Sequence, residues 1–195
     1  LSAKLPAVQK LVSGSTHDVL PMVATTNTFD KLINFRNTCG LLKVAVVSKS
    51  RRTLSSLTFE AADPSVAVCG PYKINVSNPS VPVLTMQSQG TASSVTLEGE
   101  VVLRPSEVKY FFVVLPPTTY NGGFNITLTD TDGNVFKTAN HTDLYDLSAT
   151  FTLGASKMKT VSKIIEFVNE PVVGETALEL TSLTAATPAA TFTID

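Results

Sequence analysis

Short runs of alternating hydrophobic and polar positions, separated by turn residues, extend along most of this chain. In residues 124–129 the alternation places Phe124, Ile126 and Leu128 on one face, which we expect to point inward. Residues 110–115 form instead a continuous apolar run of aromatic and β-branched side chains, which is typical of a strand buried on both faces. This pattern predicts β-strands rather than helices.

The turn residues between these runs predict a hairpin. Pro116 and Pro117 should end the first run, and the residues Tyr-Asn-Gly-Gly at 120–123 tolerate positive φ angles. Asp132 and Gly133 form the pair that favours a two-residue type I′ turn. The strand over 123–129 would therefore return through a partner strand at 134–138.

The same criteria predict strands along the rest of the chain, at residues 32–35, 41–47, 54–60, 66–76, 81–86, 94–98, 108–115 and 147–153. Between residues 157 and 167, Met158, Val161 and Ile165 have helical spacing, but the β-branched residues there favour a final strand at 164–168. Many short strands with regular turns between them are typical of an all-β sandwich.

Composition supports a folded domain and excludes several kinds of partner. The 195 residues are 43% hydrophobic, which is enough to bury a core, and only 16% are charged, with a formal net charge of −1. We therefore expect no nucleic-acid partner and no binding to an anionic membrane surface. No apolar run approaches the roughly 18–20 residues of a membrane-spanning helix, and any secretion signal should precede Leu1.

Candidate catalytic and metal-ligating residues are sparse. His17 and His141 lie in separate polar segments, and neither is close in sequence to a Ser or Cys in a recognised nucleophile motif. The sequence Asp-Thr-Asp-Gly-Asn at 130–134 resembles the start of a calcium loop, but it lacks the later bidentate Glu and is better explained as a hairpin tip. The sequence predicts a protein that is not an enzyme, with no cofactor and no metal site.

The two cysteines, Cys39 and Cys69, leave two alternatives open. They would form a disulfide if their Cα atoms lay within about 7 Å, or they would remain separate thiols. Sequence spacing alone does not choose between these states. With two cysteines and no clustered histidines, the sequence does not support a zinc site.

Three blocks of the sequence resemble the fimbrillin-like proteins of anaerobic Gram-negative, Bacteroides-type bacteria. They are LPMVA at 20–24, FRNTCGLLKV at 35–44, and the segment 110–136, which contains VVLPPTTYNGGF and the Asp-Gly turn. Thr118-Thr119 stands where that family tends to have Gly-Thr. The resemblance covers about residues 5–167, and because its motifs are structural, it specifies the fold better than the function. It favours a buried thiol at Cys39.

The resemblance implies a transthyretin-like Greek-key β-sandwich over residues 1–170. It also implies a noncatalytic structural or adhesion protein that is exported to the cell surface or outer membrane. The partners would be other fimbrial subunits or host surface ligands, and a lipid anchor would lie upstream of Leu1. The alternative is a monomeric surface lipoprotein module that binds glycans or host proteins, for which Tyr72, Tyr120 and Tyr145 would supply exposed rings.

Residues 171–195 differ in character from the rest of the chain. They are rich in Thr, Ala and Pro, with almost no charge after Glu179, and two stretches alternate in polarity. This tail would form an edge strand, link to a further domain, or donate a strand to a neighbouring subunit. The candidate donor residues are Leu178, Leu180, Leu183, Phe192 and Ile194.

Overall fold

The fold is all-β, as the sequence pattern predicts. The computed structural model describes residues 1–16, 20–25, 33–78 and 80–168, and within them the only helical element is a 3₁₀ turn, Thr138–Asn140. The strands of the described residues are β1 (Ser2–Leu5), β2 (Val8–Lys10), β3 (Met22–Val23), β4 (Arg36–Asn37), β5 (Gly40–Val47), β6 (Arg52–Ala61), β7 (Gly70–Asn75), β8 (Val83–Met86), β9 (Ser94–Leu103), β10 (Lys109–Leu115), β11 (Thr118–Tyr120), β12 (Phe124–Asp130), β13 (Val135–Lys137), β14 (Phe151–Leu153), β15 (Met158–Thr160) and β16 (Ile165–Glu166).

Two sheets enclose the main hydrophobic core. The five-stranded sheet has the order β13-β12-β6-β9-β2, and the four-stranded sheet places β10, β5 and β15 side by side, with β16 also paired to β5. Strands β5 and β10 are antiparallel along their whole length, from the pair Lys109 and Val46 to the pair Leu115 and Gly40. The inner faces of both sheets contribute to one cluster of buried side chains, as in a β-sandwich.

The predicted alternation in β12 is confirmed. Phe124, Ile126 and Leu128 are all buried in the main core. The ring of Phe124 stacks on that of Phe59 with 5.1 Å between the centroids. Burying such side chains contributes about 1.5–3 kcal/mol each, so this face of β12 fixes the strand on the core.

A third, smaller sheet covers the outer face of the four-stranded sheet. It has the order β1-β7-β8, and a second buried cluster joins Leu5, Tyr72 and Leu84 of this sheet to Val114 of β10. The C-terminal half of β10 is therefore buried on both faces, as its apolar run predicts, whereas Tyr110 at the other end is 42% exposed. Sequence analysis predicts no strand before residue 32, whereas the structure has the short strands β1 and β2 there.

Several strand boundaries differ from the prediction. The strand expected at 66–76 is confined to Gly70–Asn75, and the one expected at 147–153 is confined to Phe151–Leu153. Residues 33–35 are not in a strand, and β4 follows them. In front of β14, the Ser148 N–H donates to the Asp146 carboxylate at 3.1 Å, which forms a local turn instead of a strand.

The hairpin of β12 and β13 is confirmed, but its predicted turn type is wrong. Thr129 pairs with Val135, the Asp130 N–H donates to the Asn134 carbonyl at 3.1 Å, and Gly133 has a φ of 84°. A type I′ turn would also need a positive φ at Asp132, which that residue does not have. The Asp130 carboxylate accepts hydrogen bonds from the N–H groups of Asp132 and Asn134 and so favours this longer loop.

A buried ion pair joins the hairpin tip to two other segments. Arg52 Nη1 lies 3.1 Å from Asp130 Oδ2, and the two side chains are 9% and 1% exposed. Arg52 Nε donates to Ser48 Oγ at 3.0 Å, and the guanidinium lies 4.3 Å from the centroid of the Phe167 ring. Arg52 therefore connects the turn before β6, the hairpin tip and the residues that follow β16.

The tail predicted at 171–195 lies outside the described residues, together with Leu178, Leu180, Leu183, Phe192 and Ile194. The division of the chain near residue 170 stays a prediction.

Replacing Asp130 by Asn should lower the free energy of unfolding by about 3 kcal/mol, because the buried Arg52 would lose the carboxylate that lies 3.1 Å from its Nη1. Urea denaturation measures the change. The control is Glu107→Gln, which removes the partner of Lys109 in a more exposed ion pair and should cost less than about 1 kcal/mol. Equal losses in the two variants would contradict the role given to the buried pair.

Replacing Gly123 by Ala should destabilise the fold far more than replacing Gly133. Both glycines have positive φ angles, but a Cβ at Gly123 would lie 1.7 Å from the Leu147 carbonyl oxygen, whereas a Cβ at Gly133 would meet nothing within 4 Å. Gly133→Ala should therefore cost only the backbone strain of about 1–2 kcal/mol. Thermal unfolding of both variants checks this order. A reversed order would contradict the close packing of Gly123 against the Leu147 carbonyl.

Candidate functional site

A cleft of about 740 Å³ separates the edge strand β8 from the segment that connects β10 to β12. Its lining combines a few apolar side chains with uncharged hydrogen-bonding groups, which include Thr85, Gln87, Ser88, Thr118 and Asn121. Asp63 is the ionisable residue in this lining. The cleft can therefore donate and accept hydrogen bonds, and among its described lining residues there is no pair of groups for acid–base catalysis.

One wall of the cleft is fixed by a buried tyrosine. The Tyr120 hydroxyl donates to the Pro116 carbonyl at 3.0 Å, and the Tyr120 ring stacks on Phe151 at a centroid distance of 4.7 Å. Burial raises the pKa of Tyr120, so the hydroxyl stays protonated and keeps its hydrogen bond. The connection from Pro116 to Asn121 is thereby tied to the aromatic part of the core.

The prediction of exposed aromatic rings is wrong. Tyr72, Tyr120 and Tyr145 are 4%, 0% and 9% exposed. All three rings pack in hydrophobic clusters, and the Tyr145 hydroxyl accepts a hydrogen bond from the Glu166 N–H at 2.9 Å. These tyrosines complete the core and cannot serve as a stacking platform for a sugar.

Asp63 at the rim of the cleft acts as a turn residue. Its carboxylate accepts hydrogen bonds from the Ser65 hydroxyl at 2.6 Å and the Ser65 N–H at 2.9 Å. These two bonds hold the pKa of Asp63 below its ordinary value, so the carboxylate is ionised at neutral pH. The arrangement is an Asx turn, which shapes the loop before β7.

The outer side of β8 presents backbone groups that no described strand pairs with. The Gln87 N–H donates to the Pro71 carbonyl at 2.9 Å, which fixes the alternation of the ladder between β7 and β8. In an antiparallel ladder every second residue bonds to the partner, so the N–H and C=O groups of Leu84 and Met86 point away from β7. The stretch 81–87 carries no charged side chain, and Val81 and Val83 are exposed.

The free edge of β10, by contrast, is closed by a side chain. Gln9 Nε2 donates to the Val114 carbonyl at 2.8 Å, and the Val114 N–H donates to Gln9 Oε1 at 3.0 Å. Gln9 belongs to β2 in the other sheet of the sandwich and is only 4% exposed. Its amide thus replaces a neighbouring strand at this position.

A side chain also caps the edge of β12, at a position beyond the end of β13. The Ile126 N–H donates to Thr138 Oγ1 at 2.9 Å, and this hydroxyl lies 3.3 Å from the Ile126 carbonyl, to which it donates. Thr138 is 1% exposed. Gln9 and Thr138 therefore satisfy buried backbone groups that an edge would otherwise leave unpaired.

Sequence analysis missed both Gln9 and Thr138. Each caps a residue whose position depends on the tertiary fold, since the sequence separation is 105 for Gln9 and Val114 and 12 for Thr138 and Ile126. A lone Gln in a short polar segment and a Thr after a predicted strand give no local signal of that role. The strand at β8 was predicted, but its place at a sheet edge was not.

Cys39 and Cys69 are both buried and both free thiols, rather than a disulfide. Cys39 packs between the three-stranded and four-stranded sheets, where burial raises the pKa of its thiol to about 12. The Cys69 thiol donates to the Ser94 carbonyl at 3.3 Å. Both are therefore protonated at neutral pH, which does not suit a nucleophile.

The remaining candidates for chemistry are the two histidines, His17 and His141. His17 lies outside the described residues, and the ring of His141 stacks on Phe136 at a centroid distance of 4.8 Å. Across the described ranges no three His, Cys, Asp or Glu side chains come together as a metal site would require. In the same part of the chain, no helix has the length and apolar character needed to cross a membrane.

No model of a known protein family matches this chain, and no curated protein matches it. The resemblance to fimbrillin-like proteins therefore stays a prediction.

Replacing Cys39 by Ala should reduce the loss of stability at alkaline pH. The pKa of Cys39 is about 12 in the folded protein against 9.0 for an ordinary thiol, so the unfolded chain releases this proton first as the pH rises. Stability therefore falls with pH above that ordinary value. Between about pH 8 and pH 10, the unmodified protein should lose about 1.4 kcal/mol more than the variant in urea denaturation. Identical pH profiles would show that Cys39 is not buried.

Proposed function

We propose that this protein is a noncatalytic structural or adhesion subunit of the fimbrillin-like type, which assembles with other subunits by β-strand addition at β8. The proposal rests on a difference between strand edges, since side chains cap backbone groups of β10 and β12 but no described strand pairs with the outer edge of β8. Val114 of β10 and Ile126 of β12 are capped by Gln9 and Thr138, whereas Leu84 and Met86 of β8 line a cleft in which Asp63 is the ionisable residue. Natural sheets usually protect their edges, so an edge left open next to a cleft is a candidate binding surface.

The resemblance to fimbrillin-like proteins supports the cellular part of this proposal. On this basis we propose a location at the cell surface or outer membrane of a Gram-negative bacterium, a lipid anchor upstream of Leu1, and fimbrial subunits or host surface ligands as partners. The resemblance also supplies the finer topology that we propose for the sandwich, a transthyretin-like Greek key.

An added strand would gain from two interactions at β8. Its backbone would pair with Leu84 and Met86, at a net contribution of about 1 kcal/mol per hydrogen bond. Its alternate side chains would enter the cleft beside Thr85 and Asn121, where their size and polarity would determine the register. A charged side chain would be disfavoured there unless it were basic and reached Asp63.

The candidate donor is the tail of a neighbouring subunit. Phe192 and Ile194 alternate with threonine in a stretch free of charge, which matches the uncharged edge of β8. A chain that still assembles after removal of residues 169–195 would eliminate the tail as the donor.

Replacing Met86 by Pro should prevent assembly and leave the fold intact. Proline lacks the N–H that points away from β7, so the variant keeps the ladder to β7 but cannot donate to an incoming strand. The full chain should form polymers in light scattering after size exclusion and in negative-stain microscopy, and the Met86→Pro chain should remain a folded monomer.

The matched control is Met86→Leu, which conserves the N–H and the approximate volume and should assemble like the unmodified chain. Circular dichroism and urea denaturation establish whether Met86→Pro is folded. Polymers of normal length in a folded Met86→Pro variant, or a full chain that is monomeric at every concentration, would refute strand addition at β8.

The cleft also favours a second candidate function, a monomeric surface module that binds glycans or host proteins. Its volume of about 740 Å³ and a lining rich in uncharged hydrogen-bonding groups suit a hydrated ligand. A persistently monomeric chain that binds a defined oligosaccharide, with binding lost in Asn121→Ala, would establish this function in place of assembly. The burial of Tyr72, Tyr120 and Tyr145 restricts such a site to hydrogen bonding.

A further inference from the structure

A smaller pocket opens between the two sheets of the sandwich, on the side of β15. Its volume is about 190 Å³. Its apolar walls come from both sheets, since Leu42 belongs to β5 and Phe124 to β12, and Phe151 and Val161 complete them. A protein cavity of about 150 Å³ lined by Leu, Ile and Phe binds benzene. The pocket is therefore large enough for one aromatic ring or a branched alkyl group of similar size.

The walls of this pocket are held in place by contacts within the protein. The rings of Phe124 and Phe151 meet edge to face, with 5.5 Å between their centroids. The Phe124 N–H donates to the Leu147 carbonyl at 3.1 Å, and the Val161 N–H donates to the Lys43 carbonyl at 2.9 Å. A preformed pocket requires little ordering of the protein when a ligand binds, which favours affinity.

Three core side chains that line this pocket keep some exposed surface. Phe124, Phe151 and Val161 are 7%, 9% and 6% exposed, whereas Phe59 and Leu128 in the same cluster are fully buried. Removing apolar surface from water is favourable. A ligand with an apolar group would therefore gain free energy by covering these three side chains.

The mouth of the pocket has an excess of positive charge. Lys159 lines it and is exposed, and none of the ion pairs among the described residues involves this lysine. Asp146 also lines the pocket, and its Oδ1 accepts hydrogen bonds from the Ser148 hydroxyl at 2.6 Å and the Ser148 N–H at 3.1 Å. These bonds hold the pKa of Asp146 below its ordinary value, and the nearby charge of Lys163 lowers it further. Two ammonium groups thus accompany one carboxylate, which favours an anionic ligand.

We propose that this pocket binds a small monocarboxylate, with its ring-sized apolar group against Phe124 and Phe151 and its carboxylate at the Lys159 ammonium. A carboxylate is ionised at neutral pH and can accept a charge-assisted hydrogen bond from Lys159. The hydroxyl groups of Thr160 and Ser162, which also line the pocket, can donate to its second oxygen. The inference goes beyond assembly at β8, because it concerns a different surface and does not depend on strand addition.

Titration of the full chain with phenylacetate, followed by NMR of the backbone amides, tests the proposal. The amides of Leu147, Phe151 and Val161 should shift in a saturable way, with a dissociation constant of about 0.1–1 mM for a ligand of this size. The amide of Thr85 in the cleft beside β8 should not shift. Saturable shifts that are absent up to about ten times that constant, or that appear only beside β8, would overturn the proposal.

Two related compounds separate the contributions of ring and charge without altering the protein. Acetate conserves the carboxylate and lacks the ring, whereas 2-phenylethylamine conserves the ring and reverses the charge. Each should bind at least about 10-fold more weakly than phenylacetate, because each loses one of the two interactions. Binding of 2-phenylethylamine as tight as that of phenylacetate would overturn the proposal.

Replacing Lys159 by Met tests the contact with the carboxylate. The variant conserves most of the side-chain volume and removes the ammonium, so phenylacetate should bind about 10-fold more weakly. Binding of the neutral analogue 2-phenylethanol should not change, which shows that the pocket itself is intact. The matched control is Lys73→Met at an exposed position of β7, which should bind phenylacetate like the unmodified chain. Undiminished binding of phenylacetate in Lys159→Met would overturn the proposal.

Discussion

Backbone groups at the edge of a β-sheet have to find partners, and this constraint organises most of the molecule. A sandwich of short strands has many edges, and each buried N–H or C=O left without a partner costs about 1–3 kcal/mol. Gln9 and Thr138 meet this requirement with side chains that imitate a neighbouring strand. Since both residues are almost fully buried, the backbone groups of Val114 and Ile126 that they cap are shielded from other chains as well as from water.

The same constraint makes β8 a candidate binding site, because no described strand pairs with its outer edge. The three-stranded sheet rests on the sandwich through a small cluster around Leu5, Tyr72 and Val114, and β8 is its outermost strand. The cleft beside it keeps its shape because Tyr120 ties the opposite wall to the Pro116 carbonyl and to the aromatic core. A preformed groove reduces the ordering that an incoming strand requires, which favours binding.

Local pattern predicts the strands better than their arrangement. The period-2 alternation of Phe124, Ile126 and Leu128 and the apolar run of β10 identify buried faces, because these depend only on neighbouring residues. The third sheet and the caps at Gln9 and Thr138 depend on contacts between segments distant in sequence, which no local pattern encodes. The error at Asp132-Gly133 has a similar origin, since the Asp130 carboxylate and its ion pair with Arg52 favour a longer loop. The candidate site at β8 depends on which strands lie at sheet edges, and the local pattern does not show this. The tyrosines that were expected to be exposed, Tyr72, Tyr120 and Tyr145, pack in the core instead.

The most direct test of strand addition at β8 is the structure of the assembled protein by electron cryomicroscopy. The account predicts a strand from a neighbouring subunit beside β8, with its backbone hydrogen-bonded to Leu84 and Met86 and its alternate side chains in the cleft. Assembled subunits in which the edge of β8 still faces solvent, and in which contacts run through the edges of β10 or β12 after displacement of Gln9 or Thr138, would contradict it.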